Sequence, residues 1–121
     1  MKFMLLVHHE EAAFDELSEQ AKRDMLAESV ALAHKLHKNG QYLSASPLQP
    51  TPTATIVRVR GGKHLVTDGP FIETREQIAG YFLIDAGDIH EAIDIATRVP
   101  GARIGTVEIR PLREITGLPA A

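Results

Sequence analysis

The sequence predicts an α+β fold, because strand-like and helix-like segments follow one another in a fixed order along its 121 residues. Two amphipathic segments of helical spacing each stand between strand-like segments, and two of the strand-like segments are apolar throughout. A glycine pair between two alternating segments adds a β-hairpin. This order predicts a ferredoxin-like β-α-β-β-α-β core with an inserted hairpin, in one domain spanning residues 1–121.

The first third of the chain predicts a strand and a long helix. Residues 2–8, KFMLLVH, are almost all apolar, as in a central strand covered on both faces. Residues 9–17, HEEAAFDEL, are predicted to be a polar connection. Ser18 is placed to cap the helix, and Asn39-Gly40 is placed to end it. The apolar stripe of this helix consists of Ala21, Met25, Leu26, Ser29, Val30, Leu32, Ala33 and Leu36.

The remaining segments complete the predicted core. Their boundaries follow from apolar periodicity, from glycine and proline positions and from capping residues. The predicted elements are a short strand at 41–46, a hairpin at 54–68 that turns at Gly61-Gly62, an apolar strand at 78–86, a helix capped by Asp88 with Glu91 three residues on, and a last strand at 104–112.

The strands at 2–8 and 78–84 are apolar on both sides, which has a consequence for assembly. Both predicted helices pack on one face of such a sheet. No further helix is predicted to cover the opposite face, so a second copy of the chain is expected to do so. The sequence therefore predicts a face-to-face homodimer.

Composition narrows the classes of partner and compartment. The net charge of −3 and pI near 6.0 give no electrostatic reason to expect nucleic acid or an anionic membrane surface as partner. The absence of cysteine excludes disulfides and thiolate metal sites. His34 and His37 lie one helical turn apart, but local spacing fixes no third ligand, so neither metal nor cofactor is expected. No signal-peptide pattern or membrane-length apolar run is present, which favours a cytoplasmic protein.

Three stretches of the chain carry a family resemblance. They are MKFMLLV at the start, LQPTPTATIVRVRGGKHLVTDGPFIETREQIAGYFLID in the middle, and EAIDIATRVPGARIGTVEIRPL near the end. Over residues 1–113 the chain resembles the YCII-related family, in its DGPF subgroup, whose signature here is Asp68-Gly69-Pro70-Phe71. The resemblance implies a dimeric α+β barrel.

The resemblance says less about activity. Some relatives are linked to sigma factors of the extracytoplasmic-function type, and one acts as a dehydrochlorinase on a chlorinated hydroquinone. Short relatives carry a proposed His/Asp pair near a cleft. The corresponding positions here fall near Ser29 and Val99, so that pair does not transfer to this chain.

The signature segment is itself a candidate pocket wall. Gly69 permits unusual backbone angles and Pro70 fixes the next one, so the turn after Asp68 is stiff. Phe71 can then fold over a groove, with Glu73 at its rim, which would suit a small organic ligand. The alternative is that Asp68 accepts backbone hydrogen bonds in its turn and Phe71 fills the dimer seam.

Further candidates for acid/base chemistry lie on strands. His64 shares a strand face with Asp68 but lies about 13 Å from it, so the two can act together only across a ligand. His8 ends the first strand, where adjacent residues point to opposite faces, so at most one of His8 and His9 faces a cleft. Tyr81 can donate a hydrogen bond to a ligand or be satisfied at the dimer interface.

Two hypotheses of function remain. The first is a small organic molecule bound in a cleft of the homodimer, with acid/base catalysis by Asp68, His64 or His8 and with ligand contacts from Gly69, Pro70, Phe71, Glu73 and Tyr81. The alternative is a non-catalytic dimerisation or sensory module that works with a transcription regulator. A sequestered cavity with a titratable group of shifted pKa favours the first hypothesis.

Overall fold

Six strands and three helices follow one another in residues 1–120, the part of the chain that the computed structural model describes. Short 3₁₀ turns at Thr51–Thr53 and Pro100–Arg103 connect some of them. The elements are β1 (Lys2–His9), α1 (Glu11–Asp15), α2 (Glu19–Lys38), β2 (Tyr42–Pro47), β3 (Thr55–Arg60), β4 (Lys63–Asp68), β5 (Gln77–Asp85), α3 (Ile89–Thr97) and β6 (Thr106–Pro111).

Four strands form an antiparallel sheet in the order β2-β5-β1-β6. The two apolar strands, β1 and β5, lie at its centre, as their composition predicts. Leu5 of β1 pairs with Phe82 of β5 on one side and with Ile109 of β6 on the other. Helix α2 connects β1 to β2, and α3 connects β5 to β6. This topology is consistent with a ferredoxin-like α+β fold.

The core lies between one face of this sheet and the two long helices. Phe3 and Leu5 of β1 are fully buried, and their cross-strand partners Ile84 and Phe82 are buried with them. Burial of each such side chain stabilises the fold by about 1.5–3 kcal/mol. The helices contribute Leu32, Leu36, Ala92, Ile95 and Ala96 to the same cluster.

Both long helices begin where their capping residues predict. Ser18 Oγ accepts a hydrogen bond from the Ala21 amide at 3.0 Å, and Asp88 Oδ1 accepts one from the Glu91 amide at 2.9 Å. The Glu91 carboxylate accepts a hydrogen bond from the Gly87 amide at 3.0 Å rather than from the Asp88 amide. The capping interaction of α3 therefore extends one residue further back than the capping-box pattern predicts.

The segment predicted as a polar connection contains the short helix α1. Five residues are too few to form a stable helix alone, so contacts outside the helix must hold it. Glu11 supplies them, because its Oε1 and Oε2 accept hydrogen bonds from the Thr51 amide and hydroxyl at 2.9 and 2.8 Å. The periodicity of the sequence does not indicate this contact, because Glu11 and Thr51 are far apart in the chain.

The predicted hairpin is confirmed as β3 and β4, which form a two-stranded sheet of their own. Gly61 and Gly62 make its turn with φ of 55° and 75°, values that favour glycine at both positions. Every residue of β4 is exposed. Leu65 and Val66 of β4 are 47% and 65% exposed, so the hairpin leaves apolar surface uncovered in the single chain.

The sheet face opposite the helices is open in the single chain. Met4, Leu6 and Leu83 are half-buried there. Ile78, which pairs with His8 on the same face, is 44% exposed. The homodimer that was inferred from this apolar face remains a prediction.

Candidate functional site

A cavity of about 560 Å³ lies between α2 and the helix-facing side of the sheet. One wall is the N-terminal and middle part of α2, including Met25, Ser29 and Ala33. The opposite wall includes Gly80 of β5 and Gly101 of the turn after α3. The cavity is therefore internal to one chain, on the side of the sheet away from the predicted dimer face.

Small residues shape the cavity. A Cβ atom at Gly80 would lie 2.9 Å from the Ser46 carbonyl oxygen, and one at Gly101 would collide with Val7 Cγ1. A side chain at Gly80 thus requires backbone movement, and one at Gly101 requires the Val7 side chain to move. On the opposite wall, the small side chains of Ser29 and Ala33 leave space that a larger side chain at these positions of α2 would fill.

The apolar stripe of α2 is only partly buried because of this space. Leu32 and Leu36, toward its C-terminus, are packed into the core. Leu26 and Val30 line the cavity and remain 53% and 50% exposed. The C-terminal part of α2 thus packs against the core, whereas the part that contains Leu26 and Val30 borders the cavity.

One end of the cavity is formed by His9, Phe14 and Lys22. The rings of His9 and Phe14 are stacked, with centroids 4.5 Å apart and planes 19° apart. Lys22 Nζ lies 5.7 Å from the centroid of the Phe14 ring, within cation–π range. An aromatic pair and an ammonium group therefore meet at this end.

His9 is the cavity residue with a shifted pKa. Desolvation by burial lowers the pKa of His9, and the carboxylates of Glu11, Asp15 and Glu76 act against that shift. The surroundings therefore favour the neutral form of the imidazole over its charged form.

Four hydrogen bonds hold α1, and with it Phe14, against this end. Besides the Glu11–Thr51 contact, the Glu11 amide donates to Gln77 Oε1 at 3.0 Å. Arg75 Nε donates to Glu10 Oε2 at 3.2 Å. The second half of the signature loop therefore anchors the wall of the cavity, which gives that segment a structural role.

The other end of the cavity is lined by His34, His37 and Tyr42. His37 and Tyr42 meet edge to face, with ring centroids 6.3 Å apart. Residues 1–120 contain no group of three or more His, Cys, Asp or Glu side chains placed to hold a metal ion. Within the same residues no helix combines the length and apolarity needed to cross a bilayer.

The predicted acid/base residues lie outside this cavity. His64 and Asp68 are exposed on β4 and do not line it. His8 Nε2 lies 3.2 Å from Glu108 Oε1 on the open face of the sheet. His9, the neighbour of His8, is the histidine that faces the cavity.

The signature turn is also separate from the cavity. Gly69 has φ of 99° and donates its amide to the Ala54 carbonyl at 2.7 Å, so the turn closes the base of the hairpin. Pro70 follows within the same turn. Phe71 is 67% exposed, and the guanidinium group of Arg58 lies 5.1 Å from the centroid of its ring. Glu73 is also exposed.

Tyr81 is the one predicted site residue among those that line the cavity, although its side chain shares the open face of the sheet with its strand partner Leu6. Its hydroxyl lies 2.9 Å from Ser44 Oγ, so the phenol already has a hydrogen-bonding partner on the neighbouring strand. Sequence reasoning missed Phe14 and Lys22. A usable signal was Gly80 in the middle of an apolar strand, since such a glycine marks a close backbone approach or a space.

Comparison with known proteins identifies the family of the chain. The YCII-related domain matches residues 1–116. The chain is also similar to "Uncharacterized protein R00369" of Rhizobium meliloti (strain 1021), with 32% identity over 114 residues, which is 93% of this chain and 92% of that protein. The protein therefore belongs to the YCII-related family.

Proposed function

We propose that this protein binds a small organic molecule in the cavity between α2 and the sheet and that it does so as a homodimer. The observation that carries the proposal is the cavity itself. Its volume of about 560 Å³ is within the range of roughly 300–1,000 Å³ that is common for ligand pockets. Apolar side chains form most of its wall.

Leu26 and Val30 provide the driving force for binding. Both are about half exposed on the cavity, although they belong to the apolar stripe of α2. A ligand that covers them removes apolar surface from water, which stabilises the complex by about 25 cal/mol for each Å² buried.

His9 is the proposed acid/base group. It is partly buried at the aromatic end of the cavity, and burial favours the neutral imidazole, which is the form that takes a proton from a bound ligand. In this proposal the hairpin residues His64 and Asp68 serve the homodimer, since neither lines the cavity of its own chain. The Asp68–Phe71 signature supports placement in the DGPF subgroup.

The homodimer is supported by two open apolar surfaces. One is the sheet face that carries Ile78, and the other is the hairpin face that carries Val57 and Val66, whose exposed fractions are 64% and 65%. A second copy that covers both surfaces removes them from water and leaves the cavity on the outer side of each sheet.

A second candidate function is binding without turnover, as in a sensory module. It is favoured by the composition of the wall, which in the described residues 1–120 includes no carboxylate, so that the carboxylates acting on His9 lie outside the lining. Mass spectrometry of a ligand recovered after long incubation distinguishes the two. An enzyme returns a changed molecule, and a sensory module returns the original one.

The test of the proposal is to fill the cavity. Ala33→Trp places an indole in the cavity, whereas Ala31→Trp adds the same group to an exposed position of the same helix. We expect small phenols, alcohols and carboxylic acids to raise the melting temperature of wild type and Ala31→Trp by several degrees at saturating concentration. Ala33→Trp should show no such rise.

Circular dichroism establishes that both variants remain folded. Equal ligand-induced shifts in both tryptophan variants would contradict the proposal, as would the absence of any shift in the wild-type protein. In the apo protein, the indole of the Ala33→Trp variant covers the half-exposed side chains of Leu26 and Val30.

A further inference from the structure

The basic side chains that line the cavity have no acidic counterpart among its lining residues within the described chain, 1–120. They include Lys22 and the imidazoles of His9, His34 and His37, and among residues 1–120 the lining contains no Asp or Glu. The whole chain has the opposite balance, with 16 acidic and 13 basic residues. The described part of the lining therefore supplies one permanent cation and no anion, although the protein as a whole is acidic and the carboxylates of Glu11, Asp15 and Glu76 act on His9 from outside the lining.

Lys22 is the permanent charge of this space. Its side chain is 24% exposed, and its ammonium group lies over the Phe14 ring. The acidic partner of Lys22 is Glu19, with Nζ 3.4 Å from Oε1, and Glu19 is largely exposed and does not line the cavity. Such a pair, three residues apart on a helix, contributes only about 0.2–0.5 kcal/mol.

A ligand carboxylate can therefore replace Glu19 as the partner of Lys22. An ammonium group over an aromatic ring and partly withdrawn from water favours an anion that reaches it. The cavity lining includes no arginine among the described residues, so no guanidinium fork is present for a doubly charged phosphate. Because Lys22 is the one permanent cation among the described lining residues, the cavity favours a ligand with a single negative charge.

The remainder of the wall sets the shape of the ligand. From Lys22 to Ala33 the helix advances by about 16 Å at 1.5 Å per residue. Met25, Leu26 and Val30 lie along this length and face the cavity. An apolar body of several carbon–carbon bonds fits here, with its charged end at Lys22.

We infer that the cavity takes a monoanionic organic acid, with its carboxylate at Lys22 and its aryl or alkyl body along α2 toward Ala33. This inference rests on the proposed function, because it requires that the cavity bind a small molecule. It adds the chemical class of the ligand and the residue that recognises it.

The test uses acids and alcohols with the same apolar body. Phenylbutyrate is compared with phenylbutanol, and octanoate with octanol, by calorimetric titration at low salt. Lys22→Gln removes the proposed contact, and Lys35→Gln makes the same charge change at a residue of α2 that does not line this cavity. We expect each acid to bind wild type and Lys35→Gln about fivefold more tightly than its alcohol.

Lys22→Gln should bind acid and alcohol equally, and its unchanged affinity for the alcohol shows that the cavity is intact. Equal affinities in the wild type, or a preference for the acid that survives Lys22→Gln, would overturn the inference and leave the proposed function standing. If neither acid nor alcohol binds the wild type, the proposed function fails and the inference fails with it.

Discussion

His8 and His9 are neighbours in the chain and have different surroundings. His8 contacts Glu108 on the open face of the sheet, whereas His9 stacks on Phe14 at the cavity. The alternation of a strand predicts that only one of the two faces a cleft. Which one does so depends on where the cavity lies, and that is set by the packing of α2 rather than by local sequence.

The burial of His9 predicts a pH dependence of stability. Because its pKa is lowered in the folded state, the folded protein favours the neutral imidazole, and protonation favours unfolding. The contribution of His9 is complete above the unfolded pKa of about 6.5 and is lost as pH falls through the lower folded pKa. His9→Gln should therefore lose less stability than wild type on acidification below pH 6.5.

Urea unfolding at a series of pH values measures this difference. His90→Gln is the matched control, since His90 is exposed on α3 and does not line the cavity, and its profile should follow that of the wild type. Parallel profiles for wild type and His9→Gln would show that the surroundings of His9 do not favour its neutral form.

Helix α1 is short, and its position depends on Glu11. The carboxylate accepts two hydrogen bonds from Thr51, which fix α1 as a wall of the cavity. Glu11→Ala should cost about 1.5–3 kcal/mol of unfolding free energy, because hydrogen bonds to a charged group are lost. It should also weaken ligand binding, since Phe14 is no longer held in place.

Glu16→Ala is the comparison for this prediction, because Glu16 is exposed in the same part of the chain. Its effect on stability should stay within about 0.5 kcal/mol, as is usual for surface substitutions. Equal affinities of wild type and Glu11→Ala for phenylbutanol would mean that α1 is not a functional wall of the cavity.

The helices and strands with strong periodicity could be predicted from the sequence. The caps Ser18 and Asp88 and the Gly61-Gly62 turn specify their own local structure, so the structure confirms them. Helix α1 could not be predicted, because its anchor Thr51 is distant in the chain. The cavity could not be predicted either, because it arises where small residues of α2 meet Gly80 and Gly101.

The position of the signature turn relative to the cavity could not be predicted from local sequence either. The stiffness of Gly69-Pro70 is a local property. Whether this turn borders a cavity depends on the direction in which the hairpin leaves the sheet. The hairpin forms a separate two-stranded sheet, so its residues lie apart from the α2 cavity of the same chain.

The whole molecule has a covered and an open sheet face, and the open face predicts self-association. Ile78→Glu places a charge on the open face, and Ile93→Glu makes the same change on α3. The two isoleucines are similarly exposed in the single chain, at 44% and 46%. If the open face is the dimer interface, Ile78→Glu should weaken association by at least tenfold, because a charge would be buried there.

Sedimentation velocity over a range of micromolar concentrations measures this association. The wild type and Ile93→Glu should sediment as dimers, and Ile78→Glu should shift toward monomers. A wild-type protein that stays monomeric throughout that range, or an Ile78→Glu variant as dimeric as the wild type, would exclude the sheet face as the interface.

The location of the ligand is tested most directly by following backbone amide chemical shifts during a titration with phenylbutanol. The perturbed amides should cluster around the cavity, at Ser29, Ala33, Gly80 and Gly101, and those of Val57 and Val66 on the hairpin should stay unchanged. Perturbations confined to the hairpin or to the open sheet face would contradict a ligand site between α2 and the sheet.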